Sequence, residues 1–252
     1  SQKMFDNNYP YRSSMSKTMT KSFKKLSKKI KHVYNPKFIL EIGSNDGSLI
    51  KNFDKKKVIC VEPCKNLAVI TKKKGLKTYD EYWNMKLAKK IKSKYKKIDL
   101  IYSANTLSHI PDLDSVFRSI NHTLTDEGIL IIEDPSLHEC LKGIAYDQFY
   151  NEHIYVFSLL SIKNIIKKHN LEVFNVEKIK THGGSLRYFI KKISNTKMKI
   201  HSNVKKQLNA EIKYKMHNFD TYIDFRNKVE KSKKQLIDIF SKIKKQNKKI
   251  IG

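Results

Sequence analysis

One short segment carries groups that can move protons. Tyr150, Glu152 and His153 lie within four positions of one another, so a single loop offers a phenol, a carboxylate and an imidazole. An imidazole titrates near neutral pH and acts as a general base when a neighbouring group orients it. The segment predicts a general-base site, and a capped loop histidine without a chemical role is the alternative.

A second polar cluster joins the last two predicted strands. It runs from His182 through two glycines to Ser185 and Arg187. Glycines let a backbone approach a ligand closely, and a guanidinium can hold a phosphate through two hydrogen bonds. The cluster predicts an anion-binding loop, with a plain hairpin turn as the alternative.

A glycine-containing loop follows the first predicted strand, in the order Glu41, Gly43, Gly47. Glu62 lies about twenty residues further on, where a carboxylate can accept both hydroxyls of a ribose. The loop lacks the G-x-G-x-x-G spacing of dinucleotide-binding enzymes. These residues predict an S-adenosylmethionine site, with Glu41 near the ammonium group, both glycines against the cofactor and Glu62 on the ribose. A tight strand–helix turn beside a stray glutamate is the alternative.

Another strand, opened by Asp99, leads to Asn105 and His109. Ligands of doubly wound sheets lie beyond the carboxyl ends of the strands. We therefore expect Asn105 and His109 to face the same crevice as Gly43. A helix-start histidine is the alternative for His109.

These residues need a scaffold, and the hydrophobic pattern predicts a parallel sheet with covering helices. Short β-branched runs alternate with amphipathic stretches, then a hairpin and a lysine-rich helical segment follow. The predicted strands are 38–42, 58–61, 98–102, 129–132, 171–179 and 186–193, and a further strand is expected to start at 249–252. One predicted helix ends near residue 32. The other predicted helices lie near 47–53, 64–74, 84–95, 113–124, 158–169 and 200–245.

Composition narrows the class of protein. The chain has 252 residues and a formal net charge of +28, but only four of its 52 basic residues are arginines. Nucleic-acid readers favour arginine, so a nucleic-acid partner is not expected. No apolar run is long enough for a bilayer and no signal-peptide layout is present, which favours a cytoplasmic protein without membrane contact. Three cysteines form no disulfide framework or metal site.

Six motifs occur in order and together resemble one family. They are Tyr9-x-Tyr11-x-Ser13-Ser14-x-Ser16, Glu41-Ile-Gly-Ser-Asn-Asp-Gly-Ser48, Val61-Glu62-Pro63, Asn105-x-x-x-His109-Ile-Pro-Asp112, Tyr150-x-Glu152-His153 and His182-Gly-Gly-Ser185. The set is similar to the nucleotide-sugar C-methyltransferases, which add the C3 methyl group of branched deoxysugars. The resemblance covers roughly residues 5–195.

The resemblance implies a doubly wound α/β fold with a mostly parallel, seven-stranded, Rossmann-like sheet. It implies a dTDP-linked 4-keto-6-deoxy sugar as substrate and S-adenosylmethionine as cofactor. The implied catalytic residues are His153 as base, Tyr150 as its helper or as an alternative base, and His109 at the enolate oxygen. Glu152 is implied either to orient the imidazole or to bind a sugar hydroxyl. The implied cofactor residues are Glu41, Gly43, Asn45, Gly47, Glu62 and Asn105, and the implied substrate residues are Tyr9, Tyr11, Ser14, His182, Ser185 and Arg187.

The expected organisation has three parts: a substrate-covering segment and helix at 1–35, the methyltransferase domain at 36–195 and a helical connection at 196–252. The family's four-cysteine zinc module would precede Ser1, and its C-terminal Rossmann-like domain would begin near residue 250. The chain departs from the family at Asn151, where histidine is common. Alternatives are O- or N-methylation of a nucleotide sugar, an RNA-directed methyltransferase, or a catalytically inactive module of a glycan-processing polypeptide.

Overall fold

The computed structural model describes residues 5–249 and 251. Within them, seven strands form one sheet in the order β3-β2-β1-β4-β5-β7-β6. Strands β1 to β5 run parallel where they pair, and β7 is antiparallel to both of its neighbours. The strands are β1 (Ile39–Ile42), β2 (Val58–Val61), β3 (Lys77–Tyr79), β4 (Ile98–Ala104), β5 (Leu124–Pro135), β6 (Leu171–Ile179) and β7 (Ser185–Lys192).

Eight α-helices accompany this sheet in the described part of the chain. They are α1 (Lys17–Val33), α2 (Lys65–Lys73), α3 (Met85–Lys94), α4 (Leu113–Thr123), α5 (Leu137–Gly143), α6 (Leu159–Lys167), α7 (Ser202–Lys213) and α8 (Phe219–Lys245). None of the described helices is both long and apolar enough to cross a membrane. The predicted fold class is confirmed: a doubly wound sheet, a C-terminal hairpin and a helical extension.

The sheet has an apolar core on each face. Strands β1 and β2 are buried at every position, which is why they appear in the sequence as apolar runs, interrupted in β1 only by Glu41. One face packs against α1 through Phe23 and Tyr102, and the other packs against α3, α4 and α6. The cores fix the strand ends from which the polar side chains project.

The helix predicted near 47–53 is wrong. The structure has turns there and only a single 3₁₀ turn at Ile50–Asn52. Gly47 has a φ of +79°, and the amide of Asn52 donates to the carbonyls of Ser48 and Leu49 at 3.1 and 2.8 Å. Side-chain bonds of this kind compete with the helical ladder and end it.

The strand expected at 249–252 lies partly outside the described residues, and residues 249 and 251 are not in a strand. The lysine-rich extension is helical as predicted, but it divides into α7 and α8. Lys215 in the intervening turn has a φ of +56°, and Asn218 caps the start of α8 by accepting a bond from the Asp220 N–H at 3.0 Å.

Candidate active site

A cavity of about 350 Å³ lies at the carboxyl ends of β1, β2 and β4. The N-terminal segment 5–13 and the loop 146–154 form its other walls. The structure brings twelve of the predicted site residues to this cavity. They are Tyr9, Tyr11, Glu41, Gly43, Asn45, Glu62, Asn105, His109, Tyr150, Glu152, His153 and His182.

Gly43 forms the floor of the cavity, and its lack of a side chain leaves space above the backbone. Thr106 lies too close for any side chain to fit at this position. The φ of Gly43 is +71°, and a Cβ atom there would lie 2.2 Å from Oγ1 of Thr106. The N–H groups of Gly43 and Ser44 both donate to the Val61 carbonyl, at 2.8 and 3.1 Å. The turn is therefore held against β2, with its backbone exposed to the cavity.

Two buried carboxylates flank this turn. Glu62 accepts bonds from the N–H groups of Asn45 at 2.7 Å and Cys64 at 2.9 Å, and each oxygen keeps a lone pair for a ligand hydroxyl. Burial raises the pKa of Glu62. Burial raises the pKa of Glu41 well above its usual range, and the charges of Glu62 and Asp46 add to this effect. A bound cation would reverse that shift.

Asn45 anchors the N-terminal segment over the cavity. Its Oδ1 accepts from the Ser13 N–H at 2.9 Å, and its Nδ2 donates to the Tyr11 carbonyl at 3.2 Å. Elsewhere along the segment, Asn66 donates to the Tyr9 carbonyl at 2.9 Å and Tyr82 donates to that of Phe5 at 2.9 Å. These side chains place the hydroxyl of Tyr9 at 3.4 Å from the Glu152 carboxylate.

His153 is held in one tautomer by its neighbours. Its Nδ1 lies 2.7 Å from the carbonyl of Gln148, and a carbonyl only accepts, so Nδ1 carries the proton of the neutral ring. Nε2 is then the basic nitrogen, and the hydroxyl of Tyr150 lies 3.1 Å from it. This arrangement leaves the base nitrogen on the side of the ring that faces Tyr150 in the cavity wall.

His109 lies beside His153, with their ring centroids 5.1 Å apart in an edge-on arrangement. The side chain is only 8% exposed. Burial lowers the pKa of His109 to about 4, and the neighbouring His153 contributes. His109 is therefore neutral at neutral pH. A neutral imidazole has one N–H group, which can donate a hydrogen bond to a developing oxyanion.

The cavity carries unsatisfied polar atoms that point to a polar ligand. Among the described residues, Oε2 of Glu41, Oγ of Ser44, Oδ1 of Asn105 and Nδ1 of His109 are buried without a hydrogen-bond partner. Such atoms are costly unless a ligand or water satisfies them. The residues therefore fit a ligand with an ammonium group and several hydroxyls, as S-adenosylmethionine has.

The comparison with known proteins decides the family. Residues 11–176 match the family described as a methyltransferase domain, and residues 180–252 match a C-methyltransferase C-terminal domain. The chain belongs to the methyltransferase domain family. The expected enzyme class and the expected cofactor, S-adenosylmethionine, are confirmed by this membership.

The methyltransferase is also similar to individual proteins. It is 30% identical over 153 residues to the C-methyltransferase NovU of Streptomyces niveus, a match that covers 60% of this chain and 36% of NovU. The matched part of the chain therefore spans about a third of that relative.

Two solved structures share the methyltransferase's fold. The PH0226 protein from Pyrococcus horikoshii OT3 has a TM-score of 0.55 at 13% identity, over 72% of this chain and 94% of that one. An S-adenosylmethionine-dependent methyltransferase from Clostridium acetobutylicum ATCC 824 has a TM-score of 0.52 at 16% identity, over 68% of this chain and 91% of that one.

Four predicted site residues of the methyltransferase do not line the cavity. Arg187 is 5% exposed and donates to Glu133 at 2.7 and 3.0 Å and to Glu177 at 3.3 Å, so its guanidinium is already paired inside the protein. Ser185 is buried and donates to the Thr181 carbonyl at 2.9 Å. The other two are Gly47, which packs against Leu76 and Thr71, and Ser14, which is exposed.

The structure adds residues that the sequence did not suggest. Thr106 sets the space above Gly43, and Phe5 and Trp83 close two sides of the cavity. Thr106 directly follows the predicted Asn105, so its position after a strand was a usable signal. Phe5 and Trp83 come from distant segments that only the fold brings to the site. The described lining contains no lysine or arginine, despite the strongly basic sequence.

Proposed function

We propose that this methyltransferase methylates a carbon atom next to the ketone of a nucleotide-linked 4-keto-6-deoxy sugar. The observation that carries the proposal is the fixed tautomer of His153, which leaves Nε2 unprotonated and accepting from the Tyr150 hydroxyl at 3.1 Å. A substrate C–H group would displace that hydroxyl to reach the base. The similarity to a C-methyltransferase supports the same reaction class. A base of this kind is needed because a C–H group becomes a nucleophile only after it loses its proton.

The cofactor half of the cavity is formed by β1 and β2. Glu41 would bind the ammonium group, Glu62 would accept both ribose hydroxyls, and the backbone around Gly43 would lie against the cofactor. Asn105 offers its unpaired Oδ1 to the same ligand. When bound, S-adenosylmethionine supplies an electrophilic methyl group to which a carbanion can bond.

The acceptor half is formed by the loop 146–154 and the N-terminal segment. Nε2 of His153 removes the proton from the carbon next to the ketone, and the electron pair moves onto the carbonyl oxygen as an enolate. His109 donates a hydrogen bond to that oxygen. The enolate carbon would then bond to the methyl group as the sulfur–methyl bond breaks, which would restore the ketone, leave S-adenosylhomocysteine and leave the abstracted proton on His153. Tyr9 and Tyr11 cover the sugar, and Glu152 and His182 bind its polar groups.

The test is detection of methyl transfer by mass spectrometry with isotopically labelled S-adenosylmethionine and the full chain. The acceptors are dTDP-, UDP- and GDP-linked 4-keto-6-deoxy sugars, their 4-hydroxy counterparts and total RNA. Methylation of the keto sugars alone, at carbon, is the expected result. Methylation of the 4-hydroxy sugars would show O-methylation, and methylation of RNA alone would refute the proposal.

A further inference from the structure

The loop that carries His153 contacts the C-terminal helix α8 through one aromatic pair. The rings of Phe149 and Phe225 have centroids 5.8 Å apart and are tilted by 53°. Phe149 directly follows Gln148, whose carbonyl accepts a hydrogen bond from Nδ1–H of His153 at 2.7 Å. The ring contact is therefore one residue away from the group that sets the tautomer of the base.

The start of α8 is attached to the rest of the protein on its other side. Tyr222 donates its hydroxyl to the Met216 carbonyl at 2.8 Å, and Thr221 donates to that of Lys215 at 2.8 Å. The preceding helix α7 is anchored in turn by Glu211, which accepts from the N–H groups of Leu159 and Leu160 at 2.8 and 3.0 Å. A continuous set of contacts thus connects α6 through α7 to Phe225.

Phe149 remains 47% exposed even beside Phe225, so few other contacts hold its ring. Phe149 directly follows a single 3₁₀ turn, Tyr146–Gln148, that has no side-chain cap, and the Phe149 N–H donates to the Tyr146 carbonyl. A short turn of this kind holds its carbonyl in place only while the residues around it are fixed. The nitrogen that carries the proton on a histidine depends on the bond made by the other nitrogen.

We propose that Phe225 is a positioning residue for His153, acting through Phe149 and the Gln148 carbonyl. This inference rests on the proposed function, in which Nε2 of His153 is the base. It makes α8, which lies in the part of the chain that matches the C-methyltransferase C-terminal domain, a component of the active site. Loss of the Phe225 ring frees the turn, and His153 then exchanges between its two neutral tautomers.

The experiment compares the full chain with three variants: Phe225→Ala, the conservative Phe225→Leu and Phe240→Ala as the matched control. Phe240 lies on the same helix, is 43% exposed, and has no aromatic partner among the described residues. Long-range ¹H–¹⁵N NMR of ¹⁵N-histidine protein reports the tautomer of His153 at a pH where the ring is neutral, with His153→Gln used for assignment. The turnover number and the KM for the acceptor sugar are measured in parallel.

We expect the Nδ1–H tautomer alone in the wild type and in Phe240→Ala, and a mixture of tautomers in Phe225→Ala. The turnover number of Phe225→Ala should fall by about 10- to 100-fold, as expected for a misplaced catalytic group, with S-adenosylmethionine binding unchanged. Phe225→Leu should recover most of the turnover. An unchanged tautomer in Phe225→Ala overturns the inference, whatever happens to the rate.

The experiment can refute the proposed function and the positioning role of Phe225 independently of each other. The NMR measurement needs no methyl acceptor, so it decides the positioning role of Phe225 even if no sugar is methylated. Absence of methyl transfer by the wild type refutes the proposed function alone. A lower turnover number in Phe225→Ala without a change of tautomer refutes the positioning role alone.

Discussion

At the scale of single residues, the chemistry depends on which nitrogen of His153 is unprotonated. Burial, sequence spacing and charge do not specify this. The Gln148 carbonyl does, because it can only accept a hydrogen bond and lies 2.7 Å from Nδ1. The neighbouring His109 has a different task, since burial lowers its pKa to about 4 and keeps it a neutral donor.

The role of His153 predicts a reaction that needs no methyl donor. With S-adenosylhomocysteine bound, the wild type should exchange the acidic C–H of a 4-keto sugar for deuterium in D₂O. His153→Ala should lose this exchange by about 10²- to 10⁴-fold, the usual contribution of a general base. NMR of the sugar measures it, and His32→Ala, at an exposed position on α1, serves as the control. Unchanged exchange in His153→Ala would remove it as the base.

The close approach of Thr106 to Gly43 predicts that substitutions at these two positions have non-additive effects on the free energy of unfolding. Gly43→Ala should lower the free energy of unfolding by roughly 1–3 kcal/mol, because its Cβ would overlap Thr106, whose Oγ1 lies 2.2 Å from that position. Adding Thr106→Gly removes the overlap but not the cost of the positive φ. Urea unfolding of the two single variants and the double variant gives the coupling. An additive double variant would show that Thr106 does not restrict Gly43.

At the scale of secondary-structure elements, the C-terminal extension is built into the methyltransferase domain. Glu211 on α7 is 2% exposed, and its carboxylate accepts the first free N–H groups of α6. Gln207 adds a bond to Glu211 at 3.0 Å. A negative charge at a helix N-terminus is favourable because it pairs with unsatisfied donors and with the helix dipole.

This contact predicts a specific loss of stability. Glu211→Ala should lower the free energy of unfolding by about 2–3 kcal/mol, because it leaves the first two N–H groups of α6, one of them buried, without an acceptor. Glu211→Gln keeps one acceptor oxygen and should cost less. Denaturant unfolding measures both, and Glu230→Ala, at an exposed site on α8, is the control with little expected change. Equal losses in Glu211→Ala and Glu230→Ala would contradict a capping role.

At the scale of the whole molecule, the positive charge is kept away from the cavity. The described lining contains no lysine or arginine, although the chain carries a net charge of +28. The basic side chains therefore lie outside the lining; Lys74, for example, donates to the Asp46 carbonyl at 2.7 Å behind the cavity wall. Salt screens the field of these basic side chains over about 10 Å at ordinary ionic strength.

The charge distribution predicts that binding of S-adenosylmethionine depends weakly on salt. Its dissociation constant should change by less than about threefold when the NaCl concentration rises tenfold, because no basic side chain of the described lining pairs with it. Isothermal titration calorimetry measures this, and binding of a poly(U) RNA is the comparison. A ligand held by phosphate contacts would lose affinity steeply over the same range. A steep slope for S-adenosylmethionine would contradict the assignment of its site.

Among the buried groups with shifted pKa values, Asp134 and His109 give stability opposite dependences on pH. Burial raises the pKa of Asp134 to about 7, so the folded state holds a proton that the unfolded state has released between about pH 4 and 7. Stability from this group falls as pH rises through that window. His109, with its lowered pKa of about 4, has the opposite effect between about pH 4 and 6.5. The two contributions oppose each other in the wild type.

Asp134→Asn separates these contributions and keeps the acceptor for Ser108, which bonds Asp134 at 2.9 Å. The stability of the wild type relative to the variant should fall as pH rises from about 4 to 7, by up to about 4 kcal/mol at about 1.4 kcal/mol per pH unit. It should then be flat above about pH 8. Urea unfolding across this range measures the difference. A constant difference would show that Asp134 is ionised throughout.

The sequence by itself determined the sheet and most of the cavity. Strands buried on both faces are mostly apolar, so β1, β2 and β4 were visible as apolar runs. The polar residues that follow them therefore had to meet at one sheet edge. The three-residue strand β3 and the turns at 47–53 were not found, because short segments carry too little periodicity. The motif residues near 150 and 182 were found by their types alone.

Only the tertiary structure decided which charged groups are available for binding. Arg187 was predicted to bind a phosphate, but the sheet places it directly opposite Glu133 on β5 and Glu177 on β6. Cross-strand register is set by packing of the whole sheet, and two carboxylates so aligned pair with the guanidinium away from solvent. The tautomer of His153 is fixed by the fold for a similar reason. The sequence specifies which charged and polar side chains are present. The strand register and the turns determine which partners those side chains contact.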